Sequence, residues 1–165
     1  PLILGHANVE IKNAAKDALE NGTTYGACHK GEIKIAKLIS KLMPSMEMVR
    51  LTNSGTEAIE GALKLAKRAT GRSELIGAHQ SYHGSTHGAL RLRGLEYQKT
   101  RFRPLLPDTR FIRFNSEEDL KLITNKTAAV LLETIQGGAG FISPKNDFLN
   151  PKQCAELLSH PISLV

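Results

Sequence analysis

The spacing of apolar residues along the chain predicts helices in its first third. Apolar side chains recur at helical intervals over residues 9–19, with Asn8 placed to cap this helix and Gly22 placed to stop it. A second amphipathic helix is predicted over residues 31–43, just before Pro44. The residues expected on its inner face are Ile35, Ala36, Leu38, Ile39 and Leu42.

Beyond residue 46 the pattern alternates between short apolar runs and amphipathic segments. The turn at residues 53–57 opens a helix that Gly71 closes, and Ser116, three residues before Asp119, opens another with a variant of the capping box. Four runs are expected to be strands, at residues 48–52, 75–78, 110–114 and 128–132. The last run is uninterrupted, which is typical of a strand buried on both faces of a parallel sheet. The alternation predicts an α/β fold of three layers around a mostly parallel sheet.

Composition narrows the class of protein without identifying it. The 165 residues are 41% hydrophobic and 23% charged, as in ordinary globular domains. No apolar run approaches the roughly 20 residues that a membrane-spanning helix needs, so we expect no membrane partner. Cys28 and Cys154 fit no metal or redox spacing, and we expect two free thiols in a reducing, cytoplasmic location.

The net charge of +6 is partly local, because a basic stretch occupies residues 91–113. Its members are Arg91, Arg93, Lys99, Arg101, Arg103, Arg110 and Arg113. Such a stretch is a solvated surface, or it binds an anionic small molecule or a nucleic acid. Neither an aromatic-rich RNA-binding signature nor zinc-finger spacing accompanies it, so we expect no nucleic-acid partner.

Three loops occupy positions where ligands bind in α/β sheets, at the carboxyl ends of strands. The first, Ser54-Gly55-Thr56, enters a helix N-terminus, where free N–H groups and the helix dipole favour an anion. Gly55 lets the backbone approach a phosphate closely, and the two neighbouring hydroxyls add donors. Simple capping of the helix accounts for the same residue types. Both interpretations stay open from the spacing alone.

The second loop offers an aromatic ring. Tyr82 lies in a polar, glycine-containing segment, where it is either available to stack on a planar ring or a half-buried loop tyrosine. His83 and His87 have the spacing of zinc ligands on a helix. Gly84 disfavours that helix and the glutamate of the zinc motif is missing, so we expect no metal.

The third loop offers a carboxylate. Glu133 ends the apolar run 128–132, either as a solvated residue or as a carboxylate held in a cleft. Gly137-Gly138-Ala139-Gly140 follows it and is typical of a flexible turn.

Taken together, these loops resemble the class III aminotransferases, fold-type I enzymes that use pyridoxal 5'-phosphate. Residues 53–58, Asn-Ser-Gly-Thr-Glu-Ala, look like the phosphate-binding motif of that family. Tyr82-His83-Gly84 follows at the family's distance, and residues 133–137, Glu-Thr-Ile-Gln-Gly, resemble its Glu-Pro-Ile/Val-Gln-Gly strand end. Residues 1–7 resemble a segment found upstream, particularly in glutamate-1-semialdehyde aminomutases. The resemblance covers the chain to about residue 149 and implies part of the large domain of that fold.

The resemblance also implies a role for each loop. The residues implied to bind pyridoxal 5'-phosphate are Ser54, Gly55, Thr56, Tyr82, His83 and Glu133. The first three would hold the phosphate, Tyr82 would lie against one face of the pyridine ring, and Glu133 would lie near the far side of that ring. The family's aspartate for the pyridine nitrogen, and the lysine that carries the cofactor covalently, come later than this sequence extends. We therefore nominate no catalytic residue.

Departures from the family pattern bear on the subtype. Ser85 stands where acetylornithine aminotransferases carry an arginine, and Gly138 where ornithine- and aminobutyrate-type enzymes carry a gating glutamate. Thr134 replaces the usual proline. The implied function is transfer of an amino group between an amino acid or amine and a keto acid or aldehyde, by a protein that is a homodimer at full length. The alternatives are glutamate-1-semialdehyde 2,1-aminomutase, a catalytically inactive truncated fragment, and an anion-binding module that uses the basic stretch.

The domain organisation that follows has three parts. Residues 1–45 are expected to form an N-terminal helical segment, residues 46–150 the first half of the cofactor-binding large domain, and residues 151–165 a truncated C-terminal tail. Because Pro1 is neither an initiator Met nor part of a charged signal region, we expect it to be a cut end.

Overall fold

A computed structural model describes residues 2–145 and residue 148. The chain divides into two compact units, residues 1–51 and 52–165. The tail expected at residues 151–165 lies outside the described residues. Within the described part, no helix has the length and apolar character needed to cross a membrane.

The first unit contains two helices joined by a loop. Helix α1 spans Val9–Leu19, and the side chain of its N-cap Asn8 accepts a backbone hydrogen bond at 3.0 Å. Helix α2 spans Lys30–Leu42 and begins in a capping box formed by His29 and Glu32. Both predicted helices are confirmed, the second with each bound moved by one residue.

Two expectations for this unit are wrong. The inner face expected for α2 is not buried, because Ile35 and Leu38 are 45% and 53% exposed and neither α1 nor α2 contains a buried residue. An apolar stripe is buried only where a further layer covers it, and two helices do not supply that layer. The strand expected at residues 48–52 does not form, because this segment pairs with no strand in the described part of the chain.

The second unit alternates helices and strands as predicted. Its regular elements are α3 (Gly55–Thr70), β1 (Glu74–Ala78), α4 (His87–Arg91), β2 (Thr109–Ile112) and β3 (Thr127–Leu131). Short 3₁₀ turns occupy Glu96–Gln98, Thr100–Phe102 and Glu118–Leu122. As predicted, α3 begins beside Ser54 and ends at Gly71, whose φ of 67° is left-handed and suits glycine.

The helix expected after Ser116 is wrong in type. The Ser116 hydroxyl accepts a hydrogen bond from the N–H of Asp119 at 3.3 Å, as the capping pattern predicts. The chain nevertheless makes only the 3₁₀ turn Glu118–Leu122. Leu120 and Ile123 are both buried, three residues apart, which matches the three-residue period of a 3₁₀ turn and lets the chain enter β3 soon afterwards.

The three strands form a parallel sheet in the order β2-β1-β3. Leu75 of the central strand β1 pairs with Thr109 of β2 on one side and with Ala129 of β3 on the other. Because both neighbours run parallel to β1, the carboxyl ends of all three strands lie at the same edge. The predicted α/β fold with a parallel sheet is confirmed.

Two apolar clusters give the sheet its layers. One cluster contains Ile76, Ala78, Ile112, Leu120, Ile123, Val130, Leu132 and Phe148. The other contains Leu63, Leu75, Leu92, Ala128 and Leu131. Because neighbouring residues of a strand point to opposite faces, Leu75 and Ile76 place these clusters on opposite faces of the sheet. Helix α3 supplies Leu63 to one face, and the 3₁₀ turn supplies Leu120 to the other.

Much of the basic stretch is engaged in internal contacts. Arg91 is 5% exposed and its Nε donates to the Thr109 hydroxyl at 2.6 Å, while Lys99 is 3% exposed and lies 4.1 Å from the centre of the Phe111 ring. Further ion pairs join Arg103 to Glu96, Arg110 to Glu74 and Arg113 to Asp119. The ion pairs of Arg103, Arg110 and Arg113 offset part of the positive charge that an anion-binding module or a nucleic acid would use.

Glu74 at the start of β1 forms hydrogen bonds with both neighbouring strands of the sheet. Its Oε1 accepts hydrogen bonds from Arg110 and, at 2.7 Å, from the Thr127 hydroxyl, which lie on the two neighbouring strands. Burial alone raises the pKa of Glu74, but the hydrogen bonds from Arg110 and Thr127 lower this pKa below its ordinary value.

We expect Glu74→Gln to lower the free energy of unfolding by about 1 kcal/mol at neutral pH, because the amide oxygen still accepts both hydrogen bonds and only the added strength of a charged acceptor is lost. Because the folded-state pKa is lowered, the contribution is present above the ordinary pKa and is lost as the pH falls through the folded-state value. Denaturant unfolding of both proteins between pH 7 and pH 3 measures this difference, which should shrink on acidification. A difference that does not vary with pH would contradict the account.

Candidate active site

The first turn of α3 leaves two backbone donors without a partner in the helix. The Ser54 hydroxyl caps the helix by accepting a hydrogen bond from the N–H of Glu57 at 3.3 Å. The N–H of Ala58 is the first in α3 to donate to a carbonyl four residues earlier, that of Ser54, at 3.1 Å. The N–H groups of Gly55 and Thr56 precede it and carry the positive end of the helix dipole. Capping and anion binding are therefore compatible at this turn.

The loop after β1 lies directly against the side of α3, and two glycines make this possible. A Cβ atom on Gly84, which has φ of +122°, would lie 2.2 Å from the Thr56 Oγ1. A Cβ atom on Gly88 would lie 2.2 Å from the Glu60 Oε2. Thr56 and Glu60 are four residues apart on one face of α3. At Gly84 a larger residue would move the loop away from the helix, because Thr56 Cβ and backbone are also close, whereas at Gly88 it would displace the carboxylate of Glu60.

Hydrogen bonds join the loop to the helix, and the donor and the acceptor of each bond can be assigned. The Thr86 hydroxyl donates to Glu60 Oε1, which also accepts the N–H of Ala89 at 3.1 Å. The hydroxyl oxygens of Thr56 and Thr86 are 3.0 Å apart. Because Thr86 has one hydroxyl hydrogen and gives it to the carboxylate, Thr56 is the donor in the second bond. Toward the solvent, Thr56 thus offers its backbone N–H as a donor.

The edge of the sheet brings the second and third loops together. Because β1 and β3 are parallel neighbours, the residues that follow them meet at one edge, and the N–H of Tyr82 donates to Glu133 Oε2 at 3.2 Å. On the other side, the guanidinium carbon of Arg93 lies 4.2 Å from the centre of the Tyr82 ring. The position of the Tyr82 ring is therefore set by contacts at its backbone and at one of its faces.

A single open pocket of about 760 Å³ lies between these segments. Its lining residues are Ser54, Gly55, Thr56, Ile59, Tyr82, His83, Gly84, Ser85 and Thr86. Five of the residues singled out from the sequence thus line one pocket. Glu133 is absent from the lining and reaches the pocket through its hydrogen bond to Tyr82. Thr86 and Ile59 were not singled out, although Ile59 lies one helical turn beyond Gly55 and so shares its face of α3.

His83 is the buried member of this group. It is 8% exposed, and its Nε2 has no hydrogen-bond partner among the described residues. Burial lowers the pKa of His83 from 6.5 to about 4. The ring is therefore neutral at physiological pH and adds no positive charge to the pocket.

The glycine-rich turn after β3 is held by a residue that the sequence analysis did not single out. Gln136 is 1% exposed, and its side-chain Nε2 donates to the His79 carbonyl at 3.0 Å. Its backbone forms an antiparallel bridge with Ile142 that closes the turn. Gln136 entered the sequence analysis only as a member of the motif at residues 133–137, and no local signal marked it as buried.

Comparison with known proteins places the chain in a family. The class III aminotransferase family matches residues 1–156, and the chain belongs to that family. Glutamate-1-semialdehyde 2,1-aminomutases are among its relatives, from Thermosipho africanus at 37% identity and Archaeoglobus fulgidus at 38%, each over 159 residues. These matches cover 90% of this chain and 38% of each relative, so the chain spans about two-fifths of their length.

Solved structures agree on the fold. An amine transaminase from an uncultivated Pseudomonas species, in a PLP-bound form, superposes with a TM-score of 0.80 at 21% identity, covering 93% of this chain and 43% of that one. A β-phenylalanine aminotransferase from Variovorax paradoxus gives 0.78 at 29% identity, covering 94% and 36%. The predicted fold-type I architecture is confirmed.

We expect Gly84→Ala to separate the loop from α3, because alanine is strained at φ of +122° and its Cβ has no room beside Thr56. The free energy of unfolding should fall by about 2–5 kcal/mol. Gly61→Ala is the matched control, since Gly61 lies inside α3 with nothing within 4 Å of its Cβ, and should raise stability by up to about 1 kcal/mol. Equal denaturation midpoints for the two variants would contradict the close approach.

We expect the His83 ring to stay neutral from pH 8 down to about pH 5, since its pKa is about 4. The unfolded chain takes up a proton near pH 6.5 and the folded chain does not, so stability falls as the pH drops from 6.5 toward 4. Nuclear magnetic resonance of the histidine ring protons, with assignment by His83→Gln, measures the titration. A His83 midpoint near 6.5 would show that the ring is hydrated.

Proposed function

We propose that this chain supplies the phosphate-binding part of a pyridoxal 5'-phosphate site in a transaminase. One observation carries the proposal: a single pocket joins the open N-terminus of α3 to the half-exposed ring of Tyr82. A helix N-terminus favours the phosphate, and an aromatic face favours the planar ring attached to it. Family membership supports the same cofactor.

The residues present fit this cofactor in charge and shape. A Cβ atom on Gly55 would meet nothing within 4 Å, so the backbone there is open to a closely approaching group. The N–H groups of Gly55 and Thr56 and the Ser54 hydroxyl are the donors for three phosphate oxygens. Glu133 accepts a hydrogen bond from the N–H of Tyr82 and so anchors the backbone of a residue that lines the pocket. His83 lines the same pocket as a buried, neutral ring.

Bound pyridoxal 5'-phosphate supplies an electron sink that lets an amino group move between carbon skeletons. The residues of this chain bind and orient that group. The N-terminus of α3 would hold the phosphate end, and Tyr82 would offer a surface for the ring. The reaction that follows is transfer of an amino group from an amino acid or amine to a keto acid or aldehyde. The residue that carries the cofactor covalently is outside the motifs present here.

A second candidate is glutamate-1-semialdehyde 2,1-aminomutase, which moves an amino group within one molecule. The identity of 37–38% to proteins of that name favours it. The two candidates differ in their need for a second substrate. Incubation of the full-length protein with glutamate-1-semialdehyde alone yields an isomer if it is the aminomutase, whereas a transaminase requires a separate acceptor. The third alternative, a catalytically inactive truncated fragment, is tested by the encoding gene, where a stop codon directly after Val165 would support it.

The protein that contains this chain is proposed to be a cytoplasmic homodimer. The uncovered apolar residues of α2, including Leu42 at 71% exposure, support a further protein surface against this helix. Light scattering of the full-length protein tests this assembly state. A monomer that retains full activity would contradict it.

We expect Gly55→Leu to weaken binding of pyridoxal 5'-phosphate and of inorganic phosphate at least about tenfold, because the new side chain would block the proposed anion position from a site where an added Cβ meets no atom within 4 Å. Gly61→Leu, on the same helix and also with open space at its Cβ, is the matched control and should bind both ligands normally. Fluorescence titration of the full-length variants measures both affinities. If Gly55→Leu folds and still binds both ligands normally, the phosphate is not bound at this helix.

A further inference from the structure

One face of the Tyr82 ring is covered by a cation, Arg93, which is not a lining residue of the pocket. The guanidinium carbon of Arg93 lies 4.2 Å from the ring centre, well inside the roughly 6 Å at which a cation is attracted to an aromatic face. The Nε of Arg93 is buried and has no hydrogen-bond partner among the described residues. A guanidinium that has lost part of its hydration is held more strongly by a ring than an exposed one.

Backbone contacts around Gly94 fix Arg93 at this place. The N–H of Gly94 donates to the Ser81 carbonyl at 3.0 Å, and its carbonyl accepts the N–H of Gln80 at 3.2 Å. A Cβ atom on Gly94 would lie 2.2 Å from the Ala78 carbonyl oxygen, so the two segments are in direct contact. Residue 93 is therefore held beside the Tyr82 loop by the main chain and does not depend on its own side chain for its position.

Two contacts hold Tyr82 in place, and the residue stays half-exposed. Glu133 anchors its N–H, Arg93 covers one face of its ring, and the residue is 51% exposed where it lines the pocket. A ring has two faces, so the guanidinium leaves one for a ligand. A tyrosine already held in its binding orientation loses less conformational freedom when a planar ligand stacks on it.

We propose that Arg93 is a positioning residue for the planar ligand, acting through Tyr82, and this inference rests on the proposed function. Arg93 presents the Tyr82 ring as a pre-oriented stacking surface for a ring-bearing phosphate ester. The phosphate itself is bound at the N-terminus of α3 and does not depend on this stack. Loss of Arg93 therefore reduces affinity for pyridoxal 5'-phosphate more than affinity for inorganic phosphate.

The test compares two ligands on matched variants of the full-length protein. Arg93→Met keeps the length and apolar stem of the side chain and removes its charge. We expect it to bind pyridoxal 5'-phosphate about three- to tenfold more weakly and inorganic phosphate within about twofold of the unmodified protein. Arg93→Lys retains a cation and should lose less than about threefold. Arg101→Met changes the net charge equally at an exposed position and should leave both affinities unchanged.

Circular dichroism of the bound cofactor provides a second readout, since its sign and size follow the orientation of the ring. Arg93→Met should reduce the band and Arg93→Lys should restore part of it. If Arg93→Met does not fold, Arg93→Gln replaces it with the same expected results. Normal cofactor affinity in the neutral variant, or an equal loss for both ligands, would overturn the role of Arg93. An unmodified protein that binds neither ligand would instead overturn the proposed function.

Discussion

The candidate site depends on the close approach of one loop to one face of α3. Gly84 and Gly88 are the positions where the backbone of residues 84–88 meets Thr56 and Glu60, and a Cβ at either would lie 2.2 Å from a helix side chain. Hydrogen bonds from Thr86 and Ala89 to Glu60 then hold the loop there. Without this contact the open end of α3 and the ring of Tyr82 would belong to separate surfaces. With it they line one pocket.

The pocket formed by this contact has two chemically different ends. The phosphate end is assigned to the N–H groups of Gly55 and Thr56 and to the Ser54 hydroxyl, because the Thr56 hydroxyl is committed to Thr86 while Ser54 only accepts its capping bond and keeps its own hydrogen. The ring end depends on side chains, with Glu133 and Arg93 holding Tyr82 from two sides.

Much of the fold could be predicted from the sequence where the signal was local. The caps at Asn8 and Ser54 and the stop at Gly71 fix helix ends through contacts within a few residues. The strand expected at 48–52 failed because a strand depends on a partner that no local pattern reveals. The 3₁₀ turn at Glu118–Leu122 differs from the predicted helix because burial of Leu120 and Ile123 selected the tighter period.

Most of the residues that line the pocket could be predicted from the sequence, but the contacts between them could not. Five of the six residues named from the sequence line one pocket. The contact of Arg93 with Tyr82 was not predicted, because Arg93 belongs to the basic stretch, which charge alone assigned to the surface or to an anion. The central claim is tested most directly by a crystal structure of the full-length protein with pyridoxal 5'-phosphate. The account predicts phosphate oxygens within hydrogen-bond distance of the Gly55 and Thr56 N–H groups and the pyridine ring against Tyr82. A phosphate bound elsewhere, or a ring remote from Tyr82, would contradict it.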